Sequence, residues 1–98
     1  MKQILVIGRH SEIMQTILKL INEMDDYHAI GCLTNQEAMD LLKVNSIDLL
    51  LIGGGVEAKS ELMLRYFVEE NFPLTKVIQH FGGGSGLLFN ELREALGV

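Results

Sequence analysis

Four short apolar runs alternate with four segments of helical periodicity along the chain, and three of the four runs end at a glycine. Continuous apolar sequence is typical of strands that are buried on both faces of a parallel sheet. Each run is followed by a segment long enough to form a crossover helix, which favours right-handed βαβ units. The predicted strands span residues 3–7, 27–33, 47–52 and 74–81.

The segments between the strands predict four helices, several of them with recognisable ends. The first helix begins at Ser11, which is predicted to be its N-cap. The second opens with Thr34 and Glu37, whose spacing fits a capping box, and stops at Asn45, a residue that tolerates the left-handed conformation. The third ends before Pro73, because proline cannot continue a helix.

Apolar residues at steps of three and four give each predicted helix an inward face. On the third helix these residues are Leu62, Met63, Tyr66 and Phe67. On the last helix, which closes at Gly97, they are Leu87, Leu88, Leu92, Ala95 and Leu96.

The strict alternation implies one α/β domain that spans residues 1–98. Its predicted architecture is a four-stranded parallel sheet in the order 2-1-3-4, with helices on both faces. Ligands of such sheets bind beyond the carboxyl ends of the strands, where the winding reverses. In this chain that point lies between the first and third strands.

Composition and charge exclude several classes of partner. The net charge is −5 with 8 Lys and Arg residues, so we predict no binding to nucleic acid or to an anionic membrane. Cys32 is the single cysteine, which rules out an internal disulfide, and the N-terminal sequence has no signal-peptide pattern, so we expect a cytoplasmic protein. The 48% apolar content exceeds what a small monomer easily buries and favours a homodimer.

The small residues that follow the first, third and fourth strands are predicted to form a ligand-binding edge. Glycines permit a ligand to approach closely, and backbone amides at helix N-termini hold anions. The side chains after the first strand, a guanidinium and an imidazole, are suited to pair with phosphate or carboxylate. The predicted binding residues are Gly8, Arg9, His10, Gly53, Gly54, Gly55, His80, Gly82, Gly83, Gly84 and Ser85.

A purely structural interpretation of the same residues stays open. Residues 82–84 then form a tight turn, with Ser85 as the N-cap of the last helix. In this interpretation Arg9 points to solvent, His10 caps the first helix, and His80 is a structural histidine.

The sequence lacks the motifs of several enzyme classes. No Lys followed by Ser or Thr completes the glycine-rich stretch as in a P-loop, and Ser85 lacks the context of a nucleophilic serine. The three histidines show no metal-ligand spacing, and Cys32 is typical of a small buried side chain. We therefore predict no catalytic residue, no metal site and no cofactor.

Three segments together match a known pattern: the opening QILVI, the segment TNQEA at the second helix and the run IDLLLI. With these segments, residues 3–81 resemble the receiver domain of two-component response regulators. The resemblance implies a truncated flavodoxin-like fold and a regulatory role.

The sequence departs from receivers at the positions that carry phosphotransfer. Receivers have an acidic pair after the first strand, where this chain has Gly8 and Arg9. They have a phosphorylated aspartate at the end of the third strand, where this chain has Gly53. Phe81 stands nearest to their Thr or Ser, and their fifth strand and following lysine have no counterpart before Val98. The resemblance therefore implies a receiver-like scaffold without aspartyl phosphorylation.

The leading hypothesis is a non-enzymatic regulatory or interaction module that binds a small anionic molecule. It is expected to form a homodimer through the edge strand at residues 77–78 or through the last helix. The alternative is an enzyme that acts on a phosphorylated metabolite, with His10 or His80 as acid–base. The glycine-rich second half also resembles a cobalamin-binding module, whose Asp-x-His-x-x-Gly signature is interrupted here by Gly8 and Ile13.

Overall fold

The computed structural model describes residues 1–80 and 85–97 of the chain. Within this part, strands and helices alternate in the predicted order. The elements are β1 (Lys2–Ile7), α1 (Ser11–Asn22), β2 (Tyr27–Cys32), α2 (Asn35–Val44), β3 (Leu49–Ile52), α3 (Ala58–Asn71), β4 (Lys76–Gln79) and α4 (Ser85–Leu96).

The strands form one parallel sheet in the order β2-β1-β3-β4, which confirms the predicted fold class. β1 lies at the centre, where Ile4 pairs with Ala29 of β2 and with Leu49 of β3. Every residue of β3 and the second half of β1 are buried. Burial on both faces explains why these two strands are continuously apolar in sequence.

The helices cover both faces of the sheet, as predicted. Successive side chains of a strand point to opposite faces. Ile4 and Val6 therefore pack with α1 and α4, whereas Leu5 and Ile7 pack with α2 and α3. The buried helix residues on the α1–α4 face are Met14, Ile17, Ile21, Leu88 and Leu92. Those on the α2–α3 face are Ala38, Leu42, Leu64 and Val68.

The starts of the first two helices confirm one prediction and correct another. Thr34 is the N-cap of α2, and its hydroxyl oxygen accepts the Glu37 backbone N–H at 3.1 Å. The same hydroxyl donates to Glu37 Oε1 at 3.0 Å, so the side chains of Thr34 and Glu37 are paired at the start of α2. Ser11 is the first helical residue of α1 rather than its N-cap. His10 occupies the N-cap position of α1, as the structural interpretation has it, but its side chain makes no capping hydrogen bond.

The end of α2 and the start of β4 differ from the prediction. A side-chain hydrogen bond is formed at the first boundary and a turn at the second. Asn45 ends α2 in an extended conformation (φ −126°) rather than a left-handed one, and its side-chain amide donates to a carbonyl of the last turn at 3.0 Å. The fourth strand is shorter than predicted, because the Thr75 N–H donates to the Phe72 carbonyl at 2.9 Å in a turn that precedes it. Phe81, which we placed in this strand, lies outside the described residues.

α3 turns most of its predicted inward face to solvent. Leu62 and Tyr66 are 70% and 66% exposed, whereas Leu64 and Val68 are 0% and 2% exposed in the core. Of the predicted inward residues, Phe67 packs against the core. Since α3 carries apolar residues on two opposite faces, periodicity does not identify which face packs on the sheet. This part of the prediction was wrong.

α4 packs on the sheet through the predicted stripe. Leu88 and Leu92 are buried, and Ala95 and Leu96 pack against the same core, although Leu87 is 44% exposed. The helix is followed by Gly97 with φ 74°, the left-handed conformation that glycine adopts without strain. None of the helices in the described residues is long and apolar enough to cross a membrane.

Candidate functional site

The carboxyl ends of β1, β3 and β4 open into one crevice with a volume of about 650 Å³. The predicted residues that line it are Gly8, Arg9, His10, Gly53, Gly54, Gly55 and His80. The other predicted residues, Gly82, Gly83 and Gly84, lie outside the described residues, as does the side chain of Ser85 at the start of α4. Parallel strands deliver these positions to one edge of the sheet, which is where ligands of such folds bind.

The walls of the crevice are more apolar than the sequence predicts. α1 contributes Ile13, Met14, Ile17 and Leu20, and α4 contributes Leu88. Ligand pockets combine such apolar walls with a few polar groups that orient the ligand. A ligand that fills this crevice therefore needs an apolar part as well as a polar or charged group.

Gly8 and Gly53 extend the hydrogen bonding of the sheet. The Gly8 N–H donates to the Cys32 carbonyl at 3.1 Å, and the Gly53 N–H donates to the Ile7 carbonyl at 2.8 Å. A Cβ at Gly53 would lie 3.1 Å from that same Ile7 oxygen, which is tighter than ordinary van der Waals contact. The close approach of two backbones therefore favours glycine at position 53. Both amides are already used, so Gly54 and Gly55 are the better candidates to donate to a ligand.

Arg9 joins the loops that follow β1, β2 and β3. Its Nη1 donates to the Leu33 carbonyl at 2.9 Å, and its Nη2 donates to Asn35 Oδ1 at 2.8 Å and to Glu57 Oε1 at 2.9 Å. Ser60 completes the network, because its hydroxyl accepts from Asn35 Nδ2 at 2.9 Å and donates to Glu57 Oε1 at 3.1 Å. Arg9 therefore does not point to solvent, and its guanidinium is already paired with a carboxylate of its own chain. The interpretation in which Arg9 points to solvent is therefore wrong, whereas its role in ligand binding stays a prediction.

The contact with Arg9 changes the acidity of Glu57. Hydrogen bonds from the Arg9 side chain, from the Glu57 backbone and from Ser60, in decreasing order, lower the pKa of Glu57 from 4.5 to about 2. The carboxylate is therefore ionised at neutral and mildly acidic pH. It forms a charge-assisted pair with the guanidinium, and this pair is partly open to solvent because the Glu57 side chain is 62% exposed.

The two histidines at the crevice lie in different environments. His80 is 8% exposed, and its Nδ1 is hydrogen-bonded to Glu91 of α4, which favours the structural interpretation of His80. This contact ties the end of β4 to α4. His10 is exposed, and its Cδ2 lies 4.0 Å from the place where a Gly55 Cβ would stand. The imidazole of His10 is therefore accessible at the mouth of the crevice.

Cys32 is buried at the end of β2, as predicted. Burial, and then the nearby Glu37 carboxylate, raise the pKa of the Cys32 thiol from 9.0 to about 12. The thiol is therefore protonated and a poor nucleophile at neutral pH. Across residues 1–80 and 85–97, no group of three or more His, Cys, Asp or Glu side chains is placed to hold a metal ion.

Sequence reasoning missed the partners of Arg9, namely Asn35, Glu57 and Ser60. Glu57 lies 48 positions from Arg9 along the chain, and no local motif links residues at that separation. An indirect signal was present, because Asn35 and Glu57 follow two strands whose carboxyl ends share an edge with the end of β1. That signal predicts proximity but does not indicate which side chains pair.

No protein-family model matches the sequence, and no curated protein matches it. Solved structures do match. A chain from the crystal structure of the histidine kinase ThkA in complex with the response regulator protein TrrA has a TM-score of 0.77 and 17% identity, over 98% of this chain and 99% of that chain. The pseudo-receiver domain of the CikA protein has a TM-score of 0.65 and 14% identity, over 97% of each chain. A response regulator from Thermotoga maritima has a TM-score of 0.64 and 26% identity, over 97% of this chain and 79% of that chain.

The chain has a receiver-like, flavodoxin-like fold. The scaffold-level resemblance that the sequence predicts is therefore confirmed. In this receiver-like fold, Gly8 and Arg9 follow β1 and Gly53 follows β3, all at one edge of the sheet. These are the positions where the sequence departs from receivers.

Proposed function

We propose that this protein is a non-enzymatic regulatory or interaction module that is not switched by aspartyl phosphorylation. The observation that carries the proposal is the Arg9 network. Where receivers have an acidic pair and a phosphorylated aspartate, this chain has Arg9 paired with Glu57 and Gly53 bonded into the sheet. An acyl phosphate needs a carboxylate nucleophile, which glycine lacks.

The receiver-like neighbours support the regulatory part of this proposal. They include a response regulator in complex with a histidine kinase and a pseudo-receiver domain. The Arg9 network also supports the proposal that phosphorylation does not switch this module. Its hydrogen bonds already join the loops after β1, β2 and β3 in the unphosphorylated chain.

A phosphodonor experiment tests the proposal. The full chain is incubated with acetyl phosphate and divalent metal, and the intact mass is measured. A receiver that retains its aspartate serves as the positive control. We expect no phosphoryl adduct on this chain, because position 53 is Gly. A stoichiometric adduct that hydroxylamine removes would show an acyl phosphate and would overturn the proposal.

The crevice of this module is proposed to bind a small anionic molecule that also has an apolar part. The donors would be the amides of Gly54 and Gly55, the first turn of α1 and the imidazole of His10, since Arg9 is engaged elsewhere. The missing side-chain cap on α1 supports this assignment, because first-turn amides without a cap are suited to hold an anion. The apolar part would contact the α1 wall.

Titration with inorganic phosphate, followed by backbone amide chemical shifts, tests the anion part. We expect shifts concentrated at residues 8–13 and 53–56, and a several-fold weaker affinity in His10→Gln. His28→Gln is the matched control, because His28 is an exposed histidine of β2 that contacts Gln3 instead of the crevice. An absence of shifts at these residues at millimolar phosphate would contradict the anion site.

The module is also proposed to be a homodimer. The support is a set of large apolar side chains on the surface, among them Leu62, Tyr66 and Leu74, which are 70%, 66% and 95% exposed. The predicted dimer surface on α4 is disfavoured, since Leu88 and Leu92 pack on the chain's own sheet. Sedimentation equilibrium tests the assembly, and a monomer at concentrations on the order of 100 µM would contradict it.

A further inference from the structure

The outward face of α3 carries a regular stripe of exposed residues. Lys59, Leu62, Tyr66 and Glu69 follow one another at steps of three, four and three positions, and all four are exposed. These are the steps of the a and d positions along the seam of a helix pair. The stripe lies opposite the face of Leu64, which packs on the sheet. It therefore presents an apolar centre with a positive charge at one end and a negative charge at the other.

The stripe is complementary to itself when two copies meet antiparallel. If Leu62 of one copy packs against Tyr66 of the other, then Lys59, three positions before Leu62, faces Glu69, three positions after Tyr66. A two-fold axis repeats each contact, so the pair contains two apolar contacts and two contacts between opposite charges. In a parallel pair, each charge would instead meet its own counterpart, which is unfavourable.

The edge strand β4, which the sequence also predicted as a dimer surface, is partly blocked by a side chain of its own chain. Arg65 of α3 donates to the Val77 carbonyl at 3.2 Å and pairs with Glu61 at 2.8 Å. A charged side chain over an edge carbonyl opposes pairing with a further strand. The edge is therefore a poorer self-association surface than the α3 stripe.

We infer that two copies of this chain associate through α3, packed antiparallel about a two-fold axis between Leu62 and Tyr66. The inference rests on the proposed homodimer and names its surface, which is neither of the two surfaces that the sequence predicted. α3 has 14 residues, so a single helix pair buries less than a standard interface. The dimer is accordingly of micromolar affinity.

Variants that reverse or exchange the charges of Lys59 and Glu69 test the antiparallel pairing. Sedimentation equilibrium of the full chain measures the dissociation constant of the dimer. Lys59→Glu or Glu69→Lys alone places like charges at both contacts, and we expect the dissociation constant to rise about tenfold in low salt. The double variant Lys59→Glu/Glu69→Lys exchanges the charges and restores the wild-type constant. Lys19→Glu is the control for net charge, because Lys19 is exposed on α1, which packs on the opposite face of the sheet from α3. It leaves the constant unchanged.

A second pair of variants tests the apolar centre. Leu62→Ser abolishes the dimer, whereas Leu87→Ser, at a leucine of α4 that is 44% exposed, leaves it intact. Both positions are on the surface, and circular dichroism melting verifies that each variant is folded.

The outcomes separate this inference from the proposed function. If the wild-type chain is a monomer at concentrations on the order of 100 µM, both the α3 pairing and the homodimer are overturned. A dimer that resists Leu62→Ser but is lost in Val77→Pro overturns the α3 pairing alone, because Pro removes an edge donor. Failure of the double charge exchange to restore association also overturns the antiparallel pairing and leaves the homodimer proposal standing.

Discussion

At the scale of single residues, Arg9 decides the character of the candidate site. A guanidinium after β1 was expected to face a ligand, yet its donors bind Leu33, Asn35 and Glu57. The site is consequently less positive than the sequence suggests, and His10 is an accessible imidazole at the crevice. A ligand would be held chiefly by amides and apolar contacts.

The Arg9–Glu57 contact predicts that the stability of the fold depends on pH in the acidic range. Because the folded-state pKa of Glu57 is lowered from 4.5 to about 2, the pair stabilises the fold at pH above 4.5, and its contribution is lost as the pH falls from 4.5 towards 2. Glu57→Gln removes this contribution, so we expect it to be less stable than wild type near neutral pH and closer to wild type at about pH 3. Solvent screening keeps the effect small.

Urea unfolding at the two pH values measures this difference. Glu70→Gln is the matched control, because Glu70 is an exposed glutamate of α3. If Glu57→Gln and Glu70→Gln follow the same pH dependence, then the Arg9 contact does not form in solution.

At the scale of elements, the two helix starts differ in what stabilises them. Thr34 caps α2, whereas Ser11 is inside α1 and no side chain caps that helix. Thr34→Ala should therefore reduce the free energy of unfolding by about 1 kcal/mol. Ser11→Ala should change it by less than about 0.5 kcal/mol, and chemical denaturation measures both. An equal loss in both variants would mean that Ser11 is the cap, as the sequence alone suggested.

Two leucines on opposite faces of α3 can be compared directly. Leu64 is 0% exposed and Leu62 is 70% exposed. Leu64→Ala should cost about 3 kcal/mol, because it leaves a cavity against the sheet. Leu62→Ala should cost less than about 0.5 kcal/mol in dilute monomer. Thermal and urea unfolding at low protein concentration distinguish the two, and the reverse order would place the other face of α3 on the core.

At the scale of the whole molecule, the sheet predicts a pattern of amide hydrogen exchange. The amides of β1 and β3 should exchange most slowly, because these strands are central and buried. Lys76 at the start of β4 donates to the Asp48 carbonyl at 3.0 Å, and His80 just after β4 donates to the Ile52 carbonyl at 2.8 Å. In a parallel ladder the Val77 and Gln79 amides therefore point to the open edge. These two amides should exchange faster than that of Ile78.

The same measurement separates two forms of dimer. An α3 pair leaves the Val77 and Gln79 amides in fast exchange at every protein concentration. Protection of these amides that grows with concentration would instead indicate pairing of β4 edges.

The sequence predicted where the candidate site lies, but not which residues contact one another there. Gly8, Gly53 and His80 follow strands of a parallel sheet, and this alone brings them to one edge. The apolar α1 wall, which includes Ile13 and Leu20, was missed because periodicity was taken to give each helix a single inward face. Periodicity assigns a residue to a face, but it does not show where that face rises above the sheet and lines a crevice.

The sequence by itself determined the four strands, their order 2-1-3-4 and the helical layers. Strands buried on both faces must be continuously apolar, and right-handed crossovers leave few ways to connect them. Only the tertiary structure decided the partners of Arg9 and which side of α3 packs on the sheet. The Arg9–Glu57 pair joins residues 48 positions apart, and α3 is apolar on two faces. In both cases several arrangements satisfy the local pattern equally well, and the packing of the whole chain selects one.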